Sequence, residues 1–251
     1  MVDPVSALAG QQDELSRILT DLDGDGWHRP TRCEGWDVAD VVLHLAQTNE
    51  MAIGSATGDY DAVLSRLTEG LEWAASVDDG AAMMVTRERG ASDSAILARW
   101  SSTAREFADV LADADLSERV QWVAGELSLR TLATTRLAET WIHSGDVAEA
   151  LGMPLPATDR VQLIARLAWR TLPYAFSSAG RRLSGPVAFR LTGPDGSPCE
   201  FIPEEAAVTT ISGPVADLCQ VAARRVTASE TDLHGEGPDA VAVLELVRTY
   251  A

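Results

Sequence analysis

Residues 138–152 have the sequence AETWIHSGDVAEALG and complete the longest helical pattern in the chain, which extends over about 126–151. Gly152 ends this segment, and Pro154 and Pro156 lie just beyond it. Glycine commonly terminates a helix, and proline cannot continue one. The sequence therefore predicts a long helix that ends at this glycine and that other helices can pack against.

Two residues of this segment, Glu139 and His143, are one helical turn apart and therefore lie on the same helix face. Asp146 falls on the same stripe, which is about 60° wide at about 100° per residue. His44, in an earlier helical pattern, is a third candidate ligand. Two histidines and one carboxylate can hold zinc or another divalent metal and leave coordination positions open, as catalytic sites do. By spacing alone, an ordinary pair on a solvated helix face remains the alternative.

Carboxylates close to the two histidines in the helical pattern are the next feature of interest. His44 lies at the edge of a hydrophobic stripe and shares its helix face with polar residues, among them Asp40. A metal-ligating histidine usually donates its second ring N–H to a carboxylate or a carbonyl group. We therefore expect Asp40 and Asp146 to orient the two imidazoles. Cys33, in the turn before the helix of His44, is interpreted as a structural residue rather than as a nucleophile.

Further segments with apolar residues at helical spacing precede the long helix: residues 3–22, a helix that starts near Asp37, and segments at about 60–77 and 92–113. Helices joined by short loops indicate a four-helix bundle. Functional sites in such bundles are built from inward-facing side chains on facing helices. His44 and the Glu139/His143 pair are expected to contribute to a site in this way.

The pattern changes after the proline-containing segment 153–158. Beyond this segment, helical patterns and β-like runs alternate, with helices at about 159–178, 214–226 and 237–249 and strands at 187–191, 199–202 and 207–211. Residues 192–196, Thr-Gly-Pro-Asp-Gly, are typical of a hairpin turn. We therefore predict an α+β protein with a helical bundle over 1–152 and a small α+β domain over 153–251.

Charge and composition exclude several classes of function. The 20 basic and 38 acidic residues give a formal net charge of −18, so we expect neither a nucleic acid nor a membrane as partner. All the basic residues are arginines. The absence of lysine excludes Schiff-base chemistry, lysine-bound pyridoxal phosphate and a Walker-type phosphate loop, because each requires an amine. The cysteines Cys33, Cys199 and Cys219 are too widely spaced to suggest a disulfide framework or a thiolate zinc site.

The sequence also bears on location. The N-terminal residues lack a basic segment followed by an apolar run, and no segment reaches the roughly 18 to 20 apolar residues needed to span a bilayer. We therefore expect a cytoplasmic protein. The arginine- and alanine-rich composition is typical of a GC-rich genome, such as that of an actinobacterium. No long apolar heptad pattern is present, so the sequence does not predict the oligomeric state.

Two segments resemble the signatures of the mycothiol-dependent maleylpyruvate isomerase family. The first is PTRCEGWDVADVVLHL, residues 30–45, in which a turn containing Gly-Trp leads into a helix with a histidine just before a leucine. The second is ETWIHSGDVAEALG, residues 139–152, which is similar to the family's Glu-x-x-x-His-x-x-Asp segment. Two long motifs in the order of the family are far more specific than either spacing alone.

The resemblance implies a DinB-like four-helix bundle in which a divalent metal, commonly zinc, is held by His44, Glu139 and His143. It also implies a small C-terminal α/β domain similar to sterol-carrier proteins. In that domain, a helix of the family ends in an arginine that contributes to the active site, and Arg225 is the matching position. The family's Gly-Arg pair is replaced here by Arg224-Arg225, and the usual Trp-Leu before it is absent. The substrate pocket is therefore expected to differ from that of the isomerase itself.

The resemblance further implies an enzyme that uses mycothiol, the low-molecular-weight thiol of actinobacteria, as cosubstrate. A thiol on the metal is deprotonated, and the thiolate would add to an electrophilic carbon of a small, anionic substrate. The product would be an isomer or a thiol adduct, and Arg225 would bind the anionic group. Two alternatives remain open: a hydrolase or hydro-lyase with water on the same metal, and a non-catalytic small-molecule binding protein.

Overall fold

The computed structural model describes residues 3–72, 74–123 and 125–249. These residues form two compact units, Asp3–Leu155 and the chain from Pro156 onward. The architecture combines helices with small sheets, and the predicted α+β fold class is confirmed. The predicted domain bounds, 1–152 and 153–251, remain a prediction.

The first unit is mainly helical. Its helices are α1 (Pro4–Thr20), α2 (Gly24–Trp27), α3 (Val38–Thr57), α4 (Tyr60–Leu67), α5 (Val77–Glu88), α6 (Asp93–Ala112) and α7 (Leu129–Leu151), and the short antiparallel strands β1 (Arg119–Val120) and β2 (Leu127–Ser128) precede α7. Helices α1 and α3 each pack against both α6 and α7. These four long helices form a bundle, and α3 and α7 are neighbours in it.

Polar side chains define the ends of the bundle helices. At the start of α3, Asp37 accepts a hydrogen bond from the backbone N–H of Asp40 (2.9 Å), and Asp40 accepts one from the backbone N–H of Asp37 (3.3 Å). Ser128 caps α7 by accepting a hydrogen bond from the backbone of Thr131. Gly152 ends α7 with φ = +68°, a left-handed conformation that favours glycine. The helix that carries Glu139 therefore begins after a capping serine, Ser128, and ends at a left-handed glycine, Gly152.

The core of the first unit surrounds α3. Apolar residues of this helix, including Val41, Val42 and Leu45, pack with Leu15 of α1 and Trp100 of α6. A second cluster joins α3 to the two shorter helices beside it and contains Met51, Tyr60, Leu67 and Met84. Since neighbours cover α3 on several sides, nearly all of its residues are buried, His44 among them.

Two predicted segments of the bundle differ from the structure. The helix expected over 60–77 ends at Leu67, and a separate helix, α5, forms after it. Gly70 has φ = +76°, which breaks the first helix, and Ser76 caps the second by accepting a hydrogen bond from the backbone of Asp79. Helix α7 begins at Leu129 rather than near 126, because Leu127 and Ser128 pair with β1.

The second unit contains helices on a mixed sheet. Its elements are α8 (Val161–Ser178), β3 (Val187–Thr192), β4 (Pro198–Phe201), β5 (Thr209–Pro214), α9 (Val215–Ala222), a 3-10 turn (Ala228–Glu230), β6 (His234–Glu236) and α10 (Ala240–Leu246). The strand order is β4-β3-β5-β6, in which β3 and β5 are parallel and the other pairs are antiparallel. The hairpin between β3 and β4 lies at the predicted turn. Strand β6 was not predicted, because His-Gly-Glu has no alternation of apolar residues.

Candidate metal centre

The three candidate ligands lie on two neighbouring helices of the bundle. His44 lies on α3, and Glu139 and His143 lie on α7. Nε2 of His44 is 3.0 Å from Oε1 of Glu139, and Nε2 of His143 is 3.8 Å from the same oxygen. One ligand atom from each residue lies within 4.8 Å of the other two. Two imidazole nitrogens and a carboxylate oxygen thus converge on one point.

Burial differs among the three side chains. The imidazoles of His44 and His143 are 7% and 11% exposed, whereas the Glu139 side chain is 30% exposed. The imidazole rings lie edge to face with centroids 5.1 Å apart. The site therefore lies at the boundary of the core, with rigidly packed imidazoles and a carboxylate that solvent reaches.

Asp146 fixes the orientation of His143. Its Oδ2 is 2.9 Å from Nδ1 of His143, and the thiol of Cys33 donates to the same oxygen at 3.3 Å. With a proton on Nδ1 facing the carboxylate, the lone pair of Nε2 faces Glu139, which is the arrangement that metal-ligating histidines adopt. Asp146 is thus placed as the sequence analysis expects of a residue that orients His143.

Asp40 does not orient His44, contrary to the expectation from its helix face. Its carboxylate accepts hydrogen bonds from Arg89 at 2.9 and 2.7 Å and takes part in the cap of α3. Nδ1 of His44 is buried and has no hydrogen-bond partner in the described part of the chain. The Trp36 ring instead lies 5.2 Å from the His44 ring, so packing holds this imidazole on that side.

The turn before α3 brings two side chains to the site. The backbone N–H of Thr31 donates to the carbonyl of Trp36 (2.9 Å), and that of Trp36 donates to the carbonyl of Cys33 (3.0 Å). These bonds close the turn and place Trp36 against His44 and Cys33 against Asp146. The structural interpretation of Cys33 is therefore incomplete, because its thiol contacts the residue that orients His143.

Cys33, His143 and Asp146 form a second group whose ligand atoms also lie within 4.8 Å of one another. This group uses Nδ1 of His143, which lies 4.0 Å from the sulfur and 2.9 Å from the carboxylate. A contact of 2.9 Å is an ordinary hydrogen bond between the imidazole and Asp146. The group on the Nε2 side also contains a hydrogen bond, between His44 and Glu139 at 3.0 Å, but it is the preferred candidate because it joins the three residues that the family resemblance implies as ligands.

Charges inside the site favour ionised Glu139. Burial alone would raise the pKa of Glu139, but the nearby imidazoles of His143 and His44 and the positive charge of Arg136 hold it well below its usual range. Burial disfavours the charged form of His143, yet hydrogen bonds with Asp146 and Cys33 hold its pKa well above its usual range. Burial lowers the pKa of His44, although its hydrogen bond with Glu139 opposes this. A cation that binds here would therefore compete with the proton on His143.

Arg136 is a residue of the site that was not predicted from the sequence. It lies one turn before Glu139 on α7 and is fully buried. Its Nη1 is 3.8 Å from Oε2 of Glu139. The i,i+3 spacing from Glu139 was the signal that could have found it.

Arg225 belongs to the second unit, in the turn after α9. The backbone N–H of Arg225 donates to the carbonyl of Gln220, and its guanidinium donates to the carbonyl of Ala223 at 3.0 Å. Arg224, immediately before it, has φ = +60°, a left-handed conformation that glycine adopts readily and that is unfavourable for arginine. This geometry would suit the glycine that the family resemblance leads us to expect at position 224. The role of Arg225 stays a prediction.

A cleft of about 420 Å³ in the first unit lies apart from the three ligands. Its lining comes from α1, α2 and the end of α7, and consists of Arg17, Ile18, Asp21, Leu22, Asp23, Gly26, Arg29, Leu151 and Met153. The convergence of His44, Glu139 and His143, rather than the volume of a cleft, identifies the candidate site.

Comparisons with known proteins identify the family of the chain. The profile of the mycothiol maleylpyruvate isomerase N-terminal domain matches residues 8–148, which include all three candidate ligands. Two uncharacterized proteins of Mycobacterium tuberculosis, from strains CDC 1551 / Oshkosh and ATCC 25618 / H37Rv, are each 31% identical over 255 residues, covering 100% of this chain and 97% of theirs.

Solved structures show the same fold. The crystal structures of the mycothiol-dependent maleylpyruvate isomerase and of a histidine-to-alanine mutant of it match with TM-scores of 0.61 and 0.60. They are 18% and 17% identical to this chain, and each match covers 94% of both chains. The chain belongs to the mycothiol-dependent maleylpyruvate isomerase family.

Proposed function

We propose that this protein is a zinc-dependent enzyme that uses mycothiol either to isomerise a small electrophilic and anionic substrate or, as an S-transferase, to form a thiol adduct with it. The observation that carries the proposal is the convergence of His44, Glu139 and His143 within 4.8 Å in a chain of this family. The divalent metal, the thiol and the class of substrate are all parts of the proposal.

The donor set suits a catalytic zinc ion. Zinc sites that keep a position open for chemistry commonly have three protein ligands, and two histidines with one glutamate are among the known combinations. Here both Nε2 atoms face one oxygen of Glu139, and Asp146 supports His143 from its other nitrogen. A divalent ion held by these residues would supply a coordinated thiol in its deprotonated, nucleophilic form.

The remaining residues of the site would orient the reactants. Glu139 is the exposed member of the set, so a thiol and a substrate would approach from its side. Asp146 would keep the Nδ1 proton on His143 throughout. We assign to Arg225 the binding of an anionic group of the substrate, because a guanidinium pairs with a carboxylate through two parallel hydrogen bonds.

The cellular setting follows from the thiol. Among the described residues, no helix is long and apolar enough to cross a membrane. We propose that the enzyme works in the cytoplasm of an actinobacterium, where mycothiol is available. Its partners would then be a small-molecule substrate and the thiol, with no nucleic acid and no membrane.

Thiol dependence of turnover tests the proposal. Small unsaturated carboxylates, with maleylpyruvate first, would be incubated with zinc-loaded protein at increasing mycothiol concentrations. We expect turnover to require mycothiol and to fall at least about a hundredfold in His143→Ala, whereas His234→Ala, at an exposed position of β6, should behave as the wild type. Turnover without any thiol would contradict the proposal in favour of a hydrolytic reaction. Zinc-loaded protein that binds these compounds without converting them would favour a binding protein.

A further inference from the structure

Arg136 is fully buried, with a side chain that is 1% exposed, and lies on α7 one turn before Glu139. Its Nη2 and Nε donate to Oδ1 of Asn49, at 3.2 and 3.4 Å. Asn49 is neutral, so it does not balance the charge of a guanidinium. Burying an unpaired cation costs about several kcal/mol of folding free energy. A nearby carboxylate offsets this cost.

Glu139 is the carboxylate that faces this cation. Nη1 of Arg136 lies 3.8 Å from Oε2 of Glu139 and has no hydrogen-bond partner in the described residues. The other oxygen, Oε1, faces the two imidazoles at 3.0 and 3.8 Å. The two oxygens of one carboxylate are therefore directed at different groups, one at the guanidinium and one at the point where the histidines converge.

We propose that Arg136 is a positioning residue of the metal centre, which holds Oε2 of Glu139 so that the carboxylate offers only Oε1 to the ion. This inference rests on the metal site proposed above. A carboxylate bound through both oxygens fills an extra coordination position. By preventing that mode, Arg136 keeps a position open, and its positive charge nearby favours an anionic ligand such as a thiolate there.

Two variants of the full chain separate this role from a merely structural one. Arg136→Met removes the charge and the hydrogen bonds but keeps an unbranched side chain as far as the position of Nε, and Arg136→Lys keeps the charge without the planar fork. Arg99→Met is the matched control, because Arg99 also binds partly buried glutamates, Glu50 and Glu88, neither of which is a candidate metal ligand. Each protein would be loaded with Co²⁺, whose visible absorption is intense at four-coordinate sites and weak at six-coordinate sites.

The first readout is the visible absorption of the bound cobalt. The second is the affinity for 2-mercaptoethanol, measured from the sulfur-to-cobalt charge-transfer band. We expect Arg136→Met to show several-fold weaker visible absorption and about tenfold weaker thiol binding, the size of effect typical of residues that orient metal ligands. Arg136→Lys should be intermediate, and Arg99→Met should match the wild type.

The outcomes distinguish this inference from the site itself. A folded Arg136→Met protein with wild-type absorption and wild-type thiol affinity would overturn the role of Arg136 and leave the metal site standing. Wild-type protein that binds no Co²⁺ would overturn the metal site as well. If Arg136→Met does not fold, Arg136→Lys is compared with Arg99→Lys: weaker absorption in Arg136→Lys alone supports the role, and equal absorption refutes it.

Discussion

His143 shows how a single residue is set up by its surroundings. Its Nε2 faces Glu139 and His44, while its Nδ1 faces Asp146 at 2.9 Å. Because each nitrogen has its own carboxylate, the ring cannot turn over without losing one contact. The ring of a ligand held in this way is oriented before any ion arrives, which reduces the entropy lost when an ion replaces the proton on Nε2.

Asp146→Asn tests this preorganisation. An asparagine in place of the carboxylate would weaken the hold on Nδ1 of His143, and we expect metal affinity to fall by about 10- to 100-fold with the fold retained. The measurement is competition for zinc against a chelator. Asp40→Asn is the control, because Asp40 binds Arg89 and caps α3 instead. It should lower stability by about 1 kcal/mol and leave metal affinity unchanged. The reverse pattern would contradict the assignment.

Arg224 carries strain at a position where glycine fits better. Its φ of +60° is unfavourable for a side chain with a Cβ, and its guanidinium donates an exposed hydrogen bond to the carbonyl of Glu245. We expect Arg224→Gly to stabilise the protein by about 0.5–1 kcal/mol in thermal unfolding. Arg224→Ala keeps the strain and loses the hydrogen bond, so it should be no more stable than the wild type. If Arg224→Gly is less stable than Arg224→Ala, relief of backbone strain at this position does not determine stability, and the prediction is wrong.

At the scale of the elements, an ion network joins α3, α5 and α6. Arg99 of α6 donates to Glu50 of α3 at 2.6 and 2.9 Å and to Glu88 of α5 at 2.5 Å. Gln47, one turn after His44 on α3, also donates to Glu88. The network is partly shielded from solvent and contributes to the stability with which α3 packs against α5 and α6.

The same network predicts how stability depends on pH. Burial raises the pKa of Glu50, but hydrogen bonds from Arg99 and Arg66 outweigh it, so the pKa lies below its ordinary value of 4.5. A depressed pKa means that the ionised form contributes stability above about pH 4.5, and that this contribution is lost as pH falls through the folded-state pKa. We expect Glu50→Gln to cost about 2 kcal/mol near neutral pH and progressively less below pH 4.5.

Chemical unfolding of both proteins across pH 3 to 7 measures this difference, roughly the range over which a carboxyl group titrates. Glu69→Gln is the control, since its side chain is 79% exposed and its pairing with Arg87 is loose, at 3.6 Å. That variant should be as stable as the wild type throughout. A stability difference for Glu50→Gln that stays constant down to the lowest pH would contradict the role of its charge.

For the molecule as a whole, local patterns predicted much of the fold. Apolar spacing, capping residues and turn residues indicated the long bundle helices and the strands β3, β4 and β5, and the α+β class is confirmed. Helix α5 was missed because only Met84 and Val85 of it are buried, which gives too weak a periodicity. Strand β6 is stabilised by its pairing with β5, and its own sequence has no pattern that predicts a strand.

The site depends on contacts that spacing alone does not give. His44 and Glu139 are 95 residues apart, and the two signatures of the family were the most specific indication that they meet. The expectation for Asp40 was wrong because Arg89, 49 residues away, binds its carboxylate. The contacts of Arg136 with Asn49 and of Cys33 with Asp146 likewise arise from packing between distant segments. Helix faces predicted which residues point inward, and tertiary structure decided what they meet.

The central claim is that His44, Glu139 and His143 together hold one divalent metal ion. Elemental mass spectrometry of the native, untagged protein, prepared without chelators beside its His44→Ala variant, tests it most directly. We predict about one zinc ion per wild-type chain, as expected of a three-ligand site, and almost none in the variant. Circular dichroism should show that the variant remains folded. Wild-type protein without metal after zinc loading, or a folded His44→Ala variant with full zinc content, would contradict the account.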